Sequence, residues 1–139
     1  YDLWHGYALM DRAGTTPRYG FGHGLSYTRF GLRALALRQA GGQLHISVAV
    51  ANLGAVASET PVLAFVAPPP GPVERWPRKL AAFTRVALAP GECRIVHLSV
   101  ALDDLRWRGQ GRWHHQGGDH GVIISTGDAE SAGKITLAP

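Results

Sequence analysis

Little in this 139-residue sequence invites crosslinking, membrane insertion or polyelectrolyte binding. Its one cysteine, Cys93, excludes an intrachain disulfide, so stability must come from packing. Charged residues make up only 17% of the chain, and the only lysines are Lys79 and Lys134. Arginines supply the remaining positive charge behind a formal net of +4. They are scattered, without the basic stripe and interleaved aromatics of a nucleic-acid surface, which argues against a nucleic-acid partner. No window approaches the run of about eighteen apolar residues that a membrane span needs, and the N-terminus lacks the charged and apolar regions of a signal peptide. No membrane role is expected. The chain opens on Tyr1 and not on methionine, from which we expect a piece of a longer protein. Missing targeting signals then leave the compartment open, a periplasmic or secreted parent included. Helical periodicity is missing as well, so no helix is expected.

What the sequence does have is apolar content, 45% of residues, enough for a core in a chain of single-domain length. From Phe30 onward the apolar pattern has period two, the mark of half-buried antiparallel strands. Leu44, Ile46, Val48 and Val50 alternate with His45, Ser47, Ala49 and Ala51. The preceding run changes phase between Leu32 and Leu35, which predicts a bulge, and Gly41-Gly42 then turns it into a hairpin. Val62, Leu63, Ala64, Phe65 and Val66 follow Pro61 and read as a short buried strand with an edge-blocking proline at its start. The stretch 67–77 holds Pro68, Pro69, Pro70, Pro72 and Pro77 and is an extended loop. Further strands are expected over 80–88, around Val96, Leu98 and Val100, at Val122-Ile123-Ile124 and at Ile135 to Leu137, with Trp107 and Trp113 flanking a hairpin at Gly109-Gln110-Gly111. About seven short strands at this spacing predict an all-β, two-sheet antiparallel β-sandwich of the immunoglobulin or fibronectin type III-like kind over residues 30–139. An irregular arm, residues 1–29, precedes it.

The arm carries Tyr19-Gly20-Phe21-Gly22-His23-Gly24-Leu25-Ser26-Tyr27-Thr28, in which glycine takes every second position between aromatic anchors. Such a segment suits a chain that passes close to another backbone. It resembles the Phe-Pro-Phe-Gly-His-Gly-Leu-Ser-Tyr-Thr signature that leads into the fibronectin type III-like domain at the C-terminal end of many glycoside hydrolase family 3 enzymes, the β-glucosidase family. Val50-Ala51-Asn52-Leu53-Gly54, Leu80-Ala81-Ala82-Phe83 and Leu88-Ala89-Pro90-Gly91-Glu92 are similar to turns and strands of that domain, in the same order. Departures stand at Tyr19-Gly20, Ala8, Ala64-Phe65 and Gly118-Asp119-His120. The resemblance implies a non-catalytic module that stabilises the catalytic domains of a parent hydrolysing glycosidic bonds, with those domains as intramolecular partners. It also implies that residues 1–29 belong to the junction with a preceding α/β domain.

The residues themselves offer no catalytic pair. Glycosidases need two carboxyl groups facing one sugar, about 5 Å apart in retaining enzymes. Asp103 and Asp104 are adjacent and point apart on an extended chain, and Asp2, Asp11, Asp119 and Asp128 are dispersed. The family's two catalytic carboxylates lie in regions that precede this module, so no catalytic residue, cofactor or metal is assigned. His114, His115, Asp119 and His120 meet the composition of a zinc or nickel set. Their spacing across Gly117-Gly118 favours an exposed loop. His45 and His97 read as polar strand neighbours. Phe21, His23 and Tyr27 are the candidate contacts at the domain junction or the parent's substrate cleft, with His23 expected to bond to backbone. Of Trp4, Trp76, Trp107 and Trp113, Trp76 in the proline loop is the candidate ligand contact, while Trp107 and Trp113 are expected to cover an end of the core. The alternative to a structural module is thus a module that binds polysaccharide or an anionic polymer through Trp76 and the basic surface.

Overall fold

The period-two stretches become strands. In the computed structural model, which describes residues 4–138, the elements are α1 (Gly6–Ala13), β1 (Phe30–Ala40), β2 (Gln43–Asn52), β3 (Ser58–Ala67), β4 (Lys79–Leu88), β5 (Cys93–Ala101), a 3-10 turn (Leu102–Leu105), β6 (Trp107–Gly109), β7 (Arg112–His114), β8 (Gly118–Ser125) and β9 (Glu130–Leu137). One sheet has the order β1-β2-β5 and the other β4-β3-β8-β9, while β6 and β7 make a separate hairpin. All pairings are antiparallel. The expected two-sheet sandwich is present.

The inward set of β2, Leu44, Ile46, Val48 and Val50, meets Val62, Ala64 and Val66 of β3, Leu98 of β5 and Ile124 of β8 in one core. Each large side chain there stabilises the fold by roughly 1.5–3 kcal/mol through removal from water. The phase change in β1 is a bulge: its register against β2 shifts between Arg33 and Ala36, and Ala34 takes a positive φ of 54°. Pro61 does not start a strand. It lies inside β3, which begins at Ser58 and is flanked by β4 along that stretch, whereas the β8 ladder begins only at Leu63.

Burial along β3 is continuous from Val62 to Val66 and does not alternate. Both faces of the strand must therefore be covered. One faces the core, and the arm covers the other. Phe65, 1% exposed, packs edge-on against Tyr7 and Phe21 with ring centroids 5.6 and 6.1 Å away. The Arg78 guanidinium lies 4.7 Å above the Phe65 ring and donates to the Asp11 carboxylate through Nε at 2.7 Å and Nη2 at 3.2 Å. That bond with Asp11 raises the Arg78 pKa above its ordinary value. The Leu80 amide donates to the Tyr7 hydroxyl at 3.0 Å, fixing the helix to the start of β4.

The helix corrects the expectation of a wholly irregular arm. Eight residues give too few turns for a periodic signal, and only Ala8 of the eight is buried. So short a helix gains its stability from tertiary contacts and not from intrinsic propensity. Gly14 closes it in the left-handed conformation, and the Thr15 amide bonds to the Met10 carbonyl at 3.0 Å.

Candidate functional site

From α1 the arm descends the outer face of the β4-β3-β8-β9 sheet and crosses the β8–β9 turn. Gly22 (φ 85°) and Gly127 (φ 88°) pass so closely that a Cβ on Gly127 would sit 2.3 Å from the Gly22 carbonyl oxygen. A Cβ on Gly22 would sit 2.4 Å from Leu63 Cδ1. Both positions take a conformation that L side chains rarely adopt; a side chain at Gly127 would meet backbone, whereas one at Gly22 would meet the movable end of Leu63. Glycine here serves a backbone crossing. His23 does not direct its ring to backbone as expected: Nδ1 lies 3.3 Å from the Asp128 carboxylate, and the ring stacks on Tyr19 at 5.1 Å. Only its amide bonds to backbone, at the Gly20 carbonyl, 3.0 Å away.

The arm ends on a buried polar hub. Asn52, 1% exposed, accepts from the Thr28 hydroxyl and from the Gly54 amide (3.1 Å), and donates to the Val56 (2.8 Å) and Leu88 (3.2 Å) carbonyls. Its own amide bonds to the Glu92 carbonyl, and the Leu53 amide to the Arg29 carbonyl. All four positions of the side-chain amide are used, so Asn52 ties the arm, two turns and the end of β4 together. Among the described residues no buried side-chain polar atom lacks a partner.

What the arm leaves uncovered is apolar. Leu25 is fully exposed and Tyr27 95% exposed, while Leu9, Met10, Tyr19 and Phe21 are each between 41 and 62% exposed. Leu53 and Val56, in the turn bonded to the arm's end, add to this surface. Isolated exposed apolar residues are ordinary in folded proteins. Here most of them concentrate on one segment and its adjoining turn, with Phe83, Ile95 and Trp113 exposed elsewhere; apolar patches of this kind are characteristic of interaction sites.

Trp4 stays in the arm, with the Arg12 guanidinium 4.2 Å from its ring centroid, while the other three tryptophans are elsewhere. Register sets the geometry: Lys79, Val66, Gly121 and Ala101 lie at one end of the sandwich, and Leu88, Ser58, Ser125 and Cys93 at the other. The glycine crossing and Asn52 are at the second end. At the first, a cleft of about 300 Å³ opens between the proline loop and the β6–β7 hairpin, with Trp76, Trp107 and Trp113 in its wall. Trp76 meets His5 and Tyr7 edge-on at 6.0 and 6.4 Å. Trp107 stacks on His114 at 4.4 Å, and Trp113 is 59% exposed. Neither therefore caps the core as expected, because the hairpin stands off the sandwich.

The histidine and carboxylate candidates disperse. His114 faces Trp107, His115 lies 3.3 Å from Asp103, and the Asp119 carboxylate accepts from the Thr136 hydroxyl at 2.6 Å. His120, expected in an exposed loop, is 1% exposed on β8 with Nδ1 bonded to the Gly118 carbonyl. Its residue type suggested a ligand; its place in the strand makes it core. Among the described residues no three His, Cys, Asp or Glu groups converge. Glu59 faces Arg85, Glu92 faces Arg94, and Glu130 lies 3.6 Å from Arg78, so the carboxylates pair with cations and not with one another. Asp2 lies outside the described residues. Sequence reasoning met Asp11 and Asp128 only as dispersed carboxylates and assigned no contact to Arg78 or Tyr7; the contacts of all four join positions far apart in the chain.

Residues 60–127 match the sequence family described as the fibronectin type III-like domain. A probable β-glucosidase I of Aspergillus fumigatus is 36% identical over 91% of this chain, and a probable β-glucosidase J of Neosartorya fischeri 39% identical over 73%. The chain spans 17% and 13% of those two proteins. Among solved structures, β-glucosidase 3B from Thermotoga neapolitana superposes with a TM-score of 0.91 at 27% identity, covering 99% of this chain and 20% of that one. The GH3 β-glucosidase of Bifidobacterium adolescentis gives 0.87 at 26%, covering 95% and 20%.

Proposed function

Because this chain belongs to the fibronectin type III-like domains carried by glycoside hydrolase family 3 β-glucosidases, we propose that it is the non-catalytic module of such an enzyme. The parent hydrolyses O-glycosyl bonds of small β-glycosides, and the module stabilises its catalytic domains by packing against them. Residues 1–29 form the junction and residues 30–139 the sandwich. One observation carries this reading: most of the large apolar side chains left in water gather on the arm and the turn beside it, with Leu25 and Tyr27 almost wholly exposed. Phe21 and Tyr27 are the contacts it assigns to the neighbouring domain. His23 serves there by holding the loop to Asp128.

The reading assigns the module no hydrolysis of its own. Two carboxylates line the tryptophan cleft, Glu74 and Asp104, but Glu74 is paired with Arg12 at 3.0 Å. The purified chain is expected not to turn over a nitrophenyl β-glucoside. Turnover that co-purifies with the chain and is absent from a mock preparation of the same host would overturn the reading.

A further inference from the structure

We propose that the cleft between the proline loop and the β6–β7 hairpin binds a pyranose ring of a neutral glycan, stacked against Trp113. A hairpin of two three-residue strands is too small to be stable unaided, yet this one is held in a defined form. Trp107 is clamped between the His114 ring and the Gly109 backbone, where a Cβ would sit 2.3 Å from the indole. The His114 Nε2 meets the Gly109 carbonyl at 3.0 Å, closing the hairpin on that pair. A well-ordered support therefore presents Trp113 to solvent, with Arg106 lying 6.0 Å over one part of its ring. Exposed aromatic area on a rigid element supplies contact at small entropic cost, and the C–H face of a pyranose is an apolar surface of matching shape.

The polar groups around the cleft select a neutral ligand. Arg75 donates to Gln116 and to the Leu105 carbonyl, Lys79 donates to the Asp104 carbonyl at 3.0 Å, and Arg106 bonds to the carbonyl and carboxylate of Asp103. Burial lowers the Arg75 pKa, as suits a cation spent on internal structure. These three cations are occupied, which leaves little for a polyanion. Among the described residues the Asp104 carboxylate and the Arg108 guanidinium carry no side-chain partner, and both line the cleft. One acceptor and one donor suit the hydroxyls at a sugar's edge, each of which donates and accepts. The cleft volume, about 300 Å³, is at the small end for a ligand pocket and fits one or two sugar units. It lies at the end of the sandwich opposite the glycine crossing, with Trp76 of its wall against His5 and Tyr7 of the arm. This proposal is independent of the junction reading.

The test is titration of the purified chain with cellotetraose, followed by tryptophan fluorescence and by amide NMR shifts. Saturable binding with shifts confined to residues around Trp107 and Trp113 is expected. Trp113→Ala, at a site exposed enough to leave folding intact, should weaken it about tenfold or more, and Asp104→Asn should weaken it with an unchanged melting temperature. Absence of binding, or binding unaltered in Trp113→Ala, overturns the proposal. So does binding restricted to carboxylated or sulfated glycans and abolished by salt, since that is the behaviour of an anion site. None of these outcomes bears on whether residues 19–28 dock on a catalytic domain.

Discussion

Replacing Asn52 by alanine is the perturbation that most directly probes how the arm is joined to the sandwich. The side chain makes four hydrogen bonds, those to Thr28 and Leu88 buried and those to Gly54 and Val56 half-buried. Alanine removes all four at once and leaves two carbonyls, one amide and one hydroxyl without their partner. A buried group stranded in this way costs about 1–3 kcal/mol, while a half-buried one recovers part of that from water. The expected loss is about 3–5 kcal/mol, a large share of the stability of a domain this size. It should lower the melting temperature by about 10–20 °C. Urea unfolding gives the free energy, and amide exchange gives the location: Leu53, whose amide bonds to Arg29, should lose protection ahead of the core strands. Thr28→Val is the control, because it removes one bond, keeps the shape, and should cost about 1–2 kcal/mol. A loss below about 1 kcal/mol for Asn52→Ala would refute the claim that this hub, and not the core alone, holds the arm's end in place.

Three further expectations concern the same attachment. Gly127→Ala adds a Cβ against the Gly22 carbonyl at a positive φ and should destabilise the chain by about 2 kcal/mol or more, with NMR shifts reaching Gly22 and His23; a neutral effect by thermal melting would contradict the crossing. Arg78→Ala breaks the half-buried bond to Asp11 and bares Phe65, so it should cost about 1–2 kcal/mol and speed amide exchange over residues 6–13, leaving β2 and β5 unchanged. Glu92 accepts from the Ala89 amide and from Arg94, and these bonds hold its pKa below the ordinary carboxylate range. A depressed folded pKa contributes stability that is present above the unfolded pKa and lost as pH falls through the folded one. Glu92→Gln should therefore lower the melting temperature at about pH 7 and converge with the parent chain once pH has fallen below the folded pKa; a difference that persists in strong acid would exclude this origin.

The sandwich was legible because its signal is local. Alternation in β2, the phase change before Leu35 and the turn at Pro90-Gly91 each describe a few neighbouring residues, and the structure places a strand, a bulge and a turn there. The arm was legible only as an address. That Tyr19 to Thr28 leads into this domain could be read from its glycines and aromatics, but the reason for Gly22 lies in Leu63 and Gly127, remote in sequence. The same limit hid α1, whose eight residues are ordered by Arg78, Leu80 and Phe65 and not by their own periodicity. The uninterrupted apolar run from Val62 to Val66 was the available clue that something covers the outer sheet face. His120 shows the opposite error: residue type suggested a ligand, while its pairing with Ile135 in the β8–β9 ladder makes it part of the packed interior.

The central claim is that residues 19–28 are an interface waiting for the parent's catalytic domains. Hydrogen–deuterium exchange, compared between this chain alone and the whole enzyme, tests it most directly. Residues 19–28 and the turn at Leu53 to Val56 should gain strong protection in the whole enzyme, whereas the exposed outer face of β5 around Ile95 should exchange equally in both. Identical exchange of residues 19–28 in the two proteins would contradict the account.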